Sequence, residues 1–226
     1  MKYLPGSALL LALLAAGCHS DTPATTAAAP AATTAAEAPA AKSQPTILFF
    51  GDSITAGLGV DPDEAYPALI ENKVDSLHLP YAVVNAGLSG ETTAGGHSRL
   101  NWVLSRQPVS VFVLELGGND GLRGIPLTDT RKNLQAIIDT VRQKSPQTKI
   151  VLAGMQIPPN MGPAYTADFK KLYAEIATKN HLVLIPFLLE GVGGIAKLNQ
   201  ADGIHPTPEG HRLVAHTVWR TVQPLL

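Results

Sequence analysis

"ILFFGDSITAG", residues 47–57, reads as a buried strand that runs into a sharp turn. Four apolar residues in a row, Ile47 to Phe50, fit a strand covered on both faces of its sheet. Gly51, Asp52 and Ser53 then supply turn chemistry. A serine at the carboxyl end of a parallel strand stands where open α/β sheets bind their ligands. Ser53 is therefore either a nucleophile or a residue that caps the next helix. A nucleophile requires a base, a group that orients the base, and donors for an oxyanion.

Outward from this stretch, strand-like and helix-like segments alternate. Tyr66, Leu69, Ile70, Val74 and Leu77 fall on one helical face. "YAVVNAG" (81–87) is a second strand, and Leu100, Val103 and Leu104 mark a helix after it. "VSVFVLELGG" (109–118) is β-branched and apolar and ends in glycines. Leu134, Ile137, Ile138 and Val141 repeat at helical spacing. "KIVLAGMQI" (149–157) and "HLVLIPF" (181–187) are the fourth and fifth strands, separated by the helical stripe Phe169, Leu172, Tyr173 and Ile176. Thr207-Pro208 opens a last helix through about Val222, with a capping threonine and proline at its first position. Apolar strands separated by helices predict an α/β fold: a three-layer α/β/α sandwich with about five parallel strands, flavodoxin-like in plan. Its ligand end collects Gly51-Asp52-Ser53, "NAGLSGETT" (85–93), "LGGNDG" (116–121) and "DGIHPT" (202–207).

Seven histidines compete for the role of base. His19 precedes the folded part, His78 ends a helix, and His181 starts a strand at the wrong edge of the sheet. His97, His211 and His216 fit helix surfaces. His205 lies in a loop at the carboxyl side, three residues after Asp202. The aspartate can bond one imidazole nitrogen and leave the other facing Ser53, which sets the tautomer. The backbone N–H groups of Gly90 and Ser53 and the side-chain amide of Asn119 are candidate oxyanion donors. Asp52 reads as structural, capping the following helix or bonding turn amides, and Asp120 reads as structural too. Asp-x-x-His can also be half a metal site, yet no second cluster of ligands supports a metal.

"FFGDSITAG", "LSGET", "LGGND" and "DGIHP" together resemble the four blocks of the SGNH, or GDSL, hydrolase family, and they occur in that family's order. "ELGGNDGLRG" (115–124) and "MQIPPNMGPAY" (155–165) are similar to its thioesterase, lysophospholipase and arylesterase branch. The resemblance spans about Thr46 to Leu226. It implies a serine esterase acting on carboxylic esters or thioesters, with Ser53 as nucleophile, His205 as base and Asp202 as orienter. Ser53, Gly90 and Asn119 would form the oxyanion hole, and no metal or organic cofactor would take part. Loops Gly121–Leu127 and Pro158–Ala164 are expected to shape the acyl pocket. Two alternatives stand beside this reading: a carbohydrate O-deacetylase of the same family, and a tethered binding lipoprotein on an inactive hydrolase fold. A flavin-binding protein is disfavoured, because the first turn lacks a phosphate-cradling loop.

The rest of the chain bears on location. A formal net charge of -1 without a basic block speaks against nucleic acid as a partner. Residues 1–17, "MKYLPGSALLLALLAAG", combine an early lysine, a short apolar core and small residues before Cys18, as secretory signals do. Cys18 is the only cysteine, so no internal disulfide can form. Its setting resembles a bacterial lipobox, with Ala15 where leucine is usual, which makes Cys18 a lipidation site and the membrane a partner. The alternative is an ordinary signal peptide cleaved nearby. Residues 18–44, rich in Ala, Thr and Pro, bury too little apolar surface to fold and read as a flexible tether, roughly 30 Å end to end as a random coil. The expectation is a monomeric hydrolase domain over residues 45–226, lipid-anchored in the cell envelope, towards the outer membrane or periplasm.

Overall fold

The computed structural model describes residues 44–158 and 161–226. The leader read over residues 1–17, Cys18 and the tether up to residue 43 lie outside the described residues.

The first strand, β1, spans Thr46–Gly51 and is buried along its whole length. Successive side chains on a strand point to opposite faces. Phe49 meets the ring of Tyr66 edge-on at 5.5 Å, and Phe50 packs at 5.5 Å on Phe112. The unbroken apolar run is thus explained by cover on both faces. Each buried side chain of this size contributes about 1.5–3 kcal/mol by leaving water.

Four more strands follow: β2 (Ala82–Gly87), β3 (Val109–Glu115), β4 (Lys149–Ala153) and β5 (Val183–Ile185). All pair in parallel, in the order β2-β1-β3-β4-β5. The described residues hold seven helices: α1 (Ser53–Ala56), α2 (Tyr66–Ser76), α3 (Thr93–Leu104), α4 (Gly118–Leu122), α5 (Leu127–Lys144), α6 (Pro163–Asn180) and α7 (Pro208–Val222). Helices α2 and α7 pack together, and α5 packs between α3 and α6, which gives the two helical layers. The chain steps from β1 to β2 on one side and then returns to lay β3 on the other. The carboxyl ends of β1 and β3 therefore flank the point where the winding reverses, the place such sheets use for ligands.

The helical stripes behave as their spacing predicts. Leu134, Ile137, Ile138 and Val141 are fully buried on α5, as are Phe169 and Leu172 on α6. Thr207 caps α7 by accepting from the Gly210 N–H at 3.3 Å, with Pro208 at the first helical position. Three expectations need correction. The third, fourth and fifth strands stop earlier than their apolar runs suggest, at Glu115, Ala153 and Ile185; in the third, Gly117 turns the chain at φ 114° and the next residues wind into the short α4. His181 is not in a strand: it closes α6 in the left-handed region at φ 51°. His211 is not on a helix surface but fully buried between α7 and α2.

Candidate active site

Everything at the centre of the site follows from how β1 ends. Asp52 caps α1, its Oδ1 accepting from the Ile54 N–H at 3.0 Å. Gly57 then closes this single turn in the left-handed region at φ 78°, and the N–H groups of Gly57 and Leu58 return to the carbonyls of Ile54 and Ser53. Ser53 is held at the first position of a turn fixed at both ends, with its side chain at the rim of the core.

Gly51 is demanded by close approach. A Cβ there would lie 2.1 Å from Thr55 Oγ1 and 2.4 Å from Glu115 Oε2. The Glu115 carboxylate sits in the space thus left, at the carboxyl end of β3 and fully buried. Its Oε2 accepts from the Asp52 N–H at 3.0 Å and from Thr55 Oγ1 at 2.7 Å. Burial raises both the Asp52 and the Glu115 carboxyl groups above their ordinary range, and Glu115 is lifted further by the charge of Asp52.

The histidine comes from far along the chain. His205 Nε2 lies 2.8 Å from Ser53 Oγ, across 152 residues of sequence. Its Nδ1 lies 2.6 Å from Asp202 Oδ2. The other oxygen of Asp202 accepts from the N–H groups of Ile204 and His205, at 2.9 and 3.0 Å, so one carboxylate folds the turn and holds the ring. The hydrogen bond to His205 holds the Asp202 carboxyl down at about 2. Gln200 braces this turn by donating to the carbonyls of Pro206 and Leu58, at 3.0 and 2.7 Å.

Gly90 stands after β2 in the left-handed region at φ 77°. Its carbonyl accepts from Arg123 Nη2 at 3.0 Å. The next residue, Glu91, is anchored by Arg99, whose Nε and Nη2 reach its carboxylate at 2.6 and 2.5 Å. Arg99 also lies 4.2 Å over the ring of Phe50 and donates to the Ala86 carbonyl at 2.7 Å. Neither the Gly90 nor the Ser53 N–H has a hydrogen-bond partner among the described residues. The amide of Asn119, in α4, donates to the Glu91 carbonyl at 3.0 Å and to Asp52 Oδ2 at 3.1 Å.

Ser53, Gly90, Asn119 and His205 all line one cleft of about 600 Å³. Its walls are mostly apolar: Ile54, Leu58, Leu122, Met155, Ile157 and Pro158, with Phe187 and Leu189 from the segment after β5. Leu122 and Pro158 come from the two loops expected to shape it. Phe187, expected to end the fifth strand, lies beyond it, and Leu189 was not expected, since nothing in an irregular segment announces which side chains turn inward. Asp202 stands behind His205, outside the lining. Asp120 is structural as expected: its Oδ2 accepts from the Thr93 N–H at 2.9 Å, and its Oδ1 from Thr93 Oγ1 at 2.5 Å. No group of three or more His, Cys, Asp or Glu side chains placed to hold a metal ion occurs among the described residues.

A five-stranded parallel sheet of this order, carrying these four blocks at its ligand end, defines the α/β serine hydrolases of the SGNH type. The chain belongs to the GDSL-like lipase/acylhydrolase family, which it matches over residues 49–213, and it is a carboxylic ester hydrolase. It is 41% identical over 181 residues to esterase TesA of Pseudomonas aeruginosa, covering 80% of this chain and 89% of the relative. It is 34% identical over 181 residues to thioesterase 1/protease 1/lysophospholipase L1 of Escherichia coli strain K12, covering 80% of this chain and 85% of that one. The crystal structure of TesA superposes with a TM-score of 0.76 at 41% identity, over 80% of this chain and 99% of the other.

Proposed function

We propose that the enzyme transfers acyl groups from esters and thioesters to water through an acyl-enzyme on Ser53. The observation that carries this reading is the 2.8 Å contact between Ser53 Oγ and His205 Nε2, with Asp202 on the far nitrogen. His205 takes the hydroxyl proton as Ser53 attacks the carbonyl carbon. Asp202 fixes the tautomer and stabilises the imidazolium that forms. The oxyanion receives the unpartnered N–H groups of Ser53 and Gly90 and one N–H of Asn119, which leaves Asp52 to meet it. His205 then protonates the leaving alcohol or thiol. Water, activated by the same histidine, releases the acid and frees Ser53.

The apolar lining of the cleft supports acyl chains, aryl esters and lysophospholipids as substrates, the last in keeping with the name of the Escherichia coli relative. A fluorophosphonate probe is expected to label Ser53, and Ser53→Ala is expected to lose both labelling and ester hydrolysis while keeping its melting temperature. Labelling that persists in a folded Ser53→Ala protein overturns the assignment.

We further infer that the enzyme is anchored in the cell envelope by acylation of Cys18. The support is sequence alone: a basic start, a short apolar core and small residues ahead of a lone cysteine. Two acyl chains suffice for stable anchoring where one gives marginal binding. Wild type is expected in the membrane fraction and Cys18→Ser outside it; a soluble wild type removes the anchor.

A further inference from the structure

The side chain of Glu115 is the one part of the site that the reaction does not use and the fold does not explain. It is fully buried at the end of β3, directly beneath the nucleophile turn. Both of its protein hydrogen bonds fall on Oε2. Oε1 is buried and has no donor to accept from among the described residues. An ionised carboxylate with one oxygen unserved and a second carboxylate beside it is a poor state in a dry interior. Oε2 already accepts twice, so a bond between the neighbouring Glu115 and Asp52 carboxyl groups falls to the unserved Oε1. Two carboxylates cannot bond without a proton between them. A carboxylic acid and a carboxylate can, and such charge-assisted bonds are strong.

We propose that Glu115 is a neutral acid that donates from its Oε1 hydroxyl to Asp52, and that it thereby acts as a positioning residue for the Asn119 amide. The pair then carries one negative charge, and it rests on Asp52. Asp52 Oδ1 is spent on the Ile54 N–H, and Oδ2 faces the Asn119 amide. The Glu91 carbonyl takes the other amide hydrogen. Asn119 is thus held in one orientation from two sides, with nitrogen and not oxygen turned to the cleft. Glu115 reaches the reacting atoms only through Asp52 and Asn119.

The surroundings support a neutral acid. The titratable groups that face the pair are Tyr66 on α2, Tyr173 on α6, and His205 before α7. None of these is a lysine or arginine that would hold a second negative charge. Burial and the charge of Asp52 push the Glu115 carboxyl in the same direction, upward. Thr55 Oγ1, which bonds Tyr66 Oη at 2.8 Å, closes the other side of the acid.

The proposal rests on the reading of Asn119 as an oxyanion donor, and its test separates the two. Infrared difference spectra of wild type against Glu115→Gln, taken above the ordinary histidine range, are expected to show a protonated carboxylic acid in wild type that the variant lacks. Identical spectra overturn the proposal. Kinetics supply the functional arm. Glu115→Met is expected to lower kcat by roughly 10–100-fold, the scale of a misplaced catalytic group, with KM little changed. Glu115→Gln, which keeps a donor towards Asp52, is expected to restore most of that loss. Equal losses in kcat for both folded variants overturn the positioning role. If Asn119→Ala stays folded with kcat within a few-fold of wild type, the oxyanion reading fails, and the positioning role with it, even where the acid signal is present.

Discussion

Ser53 and Asn119 stand just past the ends of β1 and β3, on short helical turns seated on the sheet; Asp202 and His205 stand on a turn just before α7. In the first region Asp52, Glu115 and Asp120 are all buried, and each is held by two or more hydrogen bonds. In the second the Asp202 side chain is 44% exposed and that of His205 16%. The sheet region is positioned by the core, so its geometry cannot be changed without a cost in folding. The turn region is positioned by one carboxylate and a brace from Gln200, so its geometry can be changed cheaply. Chemistry and stability are therefore separable throughout the histidine side, whereas on the serine side the buried carboxylates that place Ser53 and Asn119 serve both at once.

The sharpest way to break this contrast is Asp202→Asn. The new amide can still accept from the Ile204 and His205 N–H groups through its oxygen, so the turn persists. Its nitrogen would face His205 Nδ1 as a donor and impose the wrong tautomer, leaving Nε2 protonated towards Ser53. A loss of roughly 10⁴ in kcat is expected, with the melting temperature within a degree or two of wild type, since the pair is surface-exposed. A variant that loses stability in proportion to activity would show that the turn, too, belongs to the core.

A smaller effect sharpens the other side of the comparison. His211 lies buried with its ring stacked on Tyr66 at 6.4 Å, its Nδ1 accepting from the Tyr66 N–H at 3.3 Å. Burial, aided by the charge of His205, lowers it from the usual 6.5 to about 4. The unfolded chain therefore binds a proton below 6.5 that the folded chain refuses. Stability from this group is fully present above 6.5 and is lost as the pH falls to about 4. The whole window amounts to roughly 3 kcal/mol. Urea midpoints of wild type should drop across that window relative to His211→Gln, whose side chain still accepts from Tyr66 but does not titrate. Parallel pH profiles for the two proteins would mean that His211 does not report on the core.

How legible these regions were in the sequence follows the same division. The serine side announced itself, because four unbroken apolar residues before Gly-Asp-Ser carry both a period and a turn. The histidine side was legible from one local spacing, Asp202 to His205, which a single turn can satisfy. Glu115 was passed over as one more residue of a strand: its value lies in what the sheet brings next to it, Asp52 and Thr55 about 60 residues away, and no local pattern encodes that. His211 was assigned to a surface although the signal was there. It falls three residues before Val214, seven before Val218 and eleven before Val222, all buried on α7, and so shares their stripe. A polar residue type outweighed a helical period that was the better guide. Leu189 had no period to betray it.

The 152 residues between Ser53 and His205 have a consequence for time as well as for space. The turn that carries His205 leads into α7, which packs on α2, so the two side chains meet only in a chain whose last helix stands in its native place. Until then a chain carries an ordinary serine hydroxyl with no base beside it. Ester hydrolysis is thus a readout of long-range closure: it is expected to appear on refolding together with the native contact between Ser53 and His205, not before it.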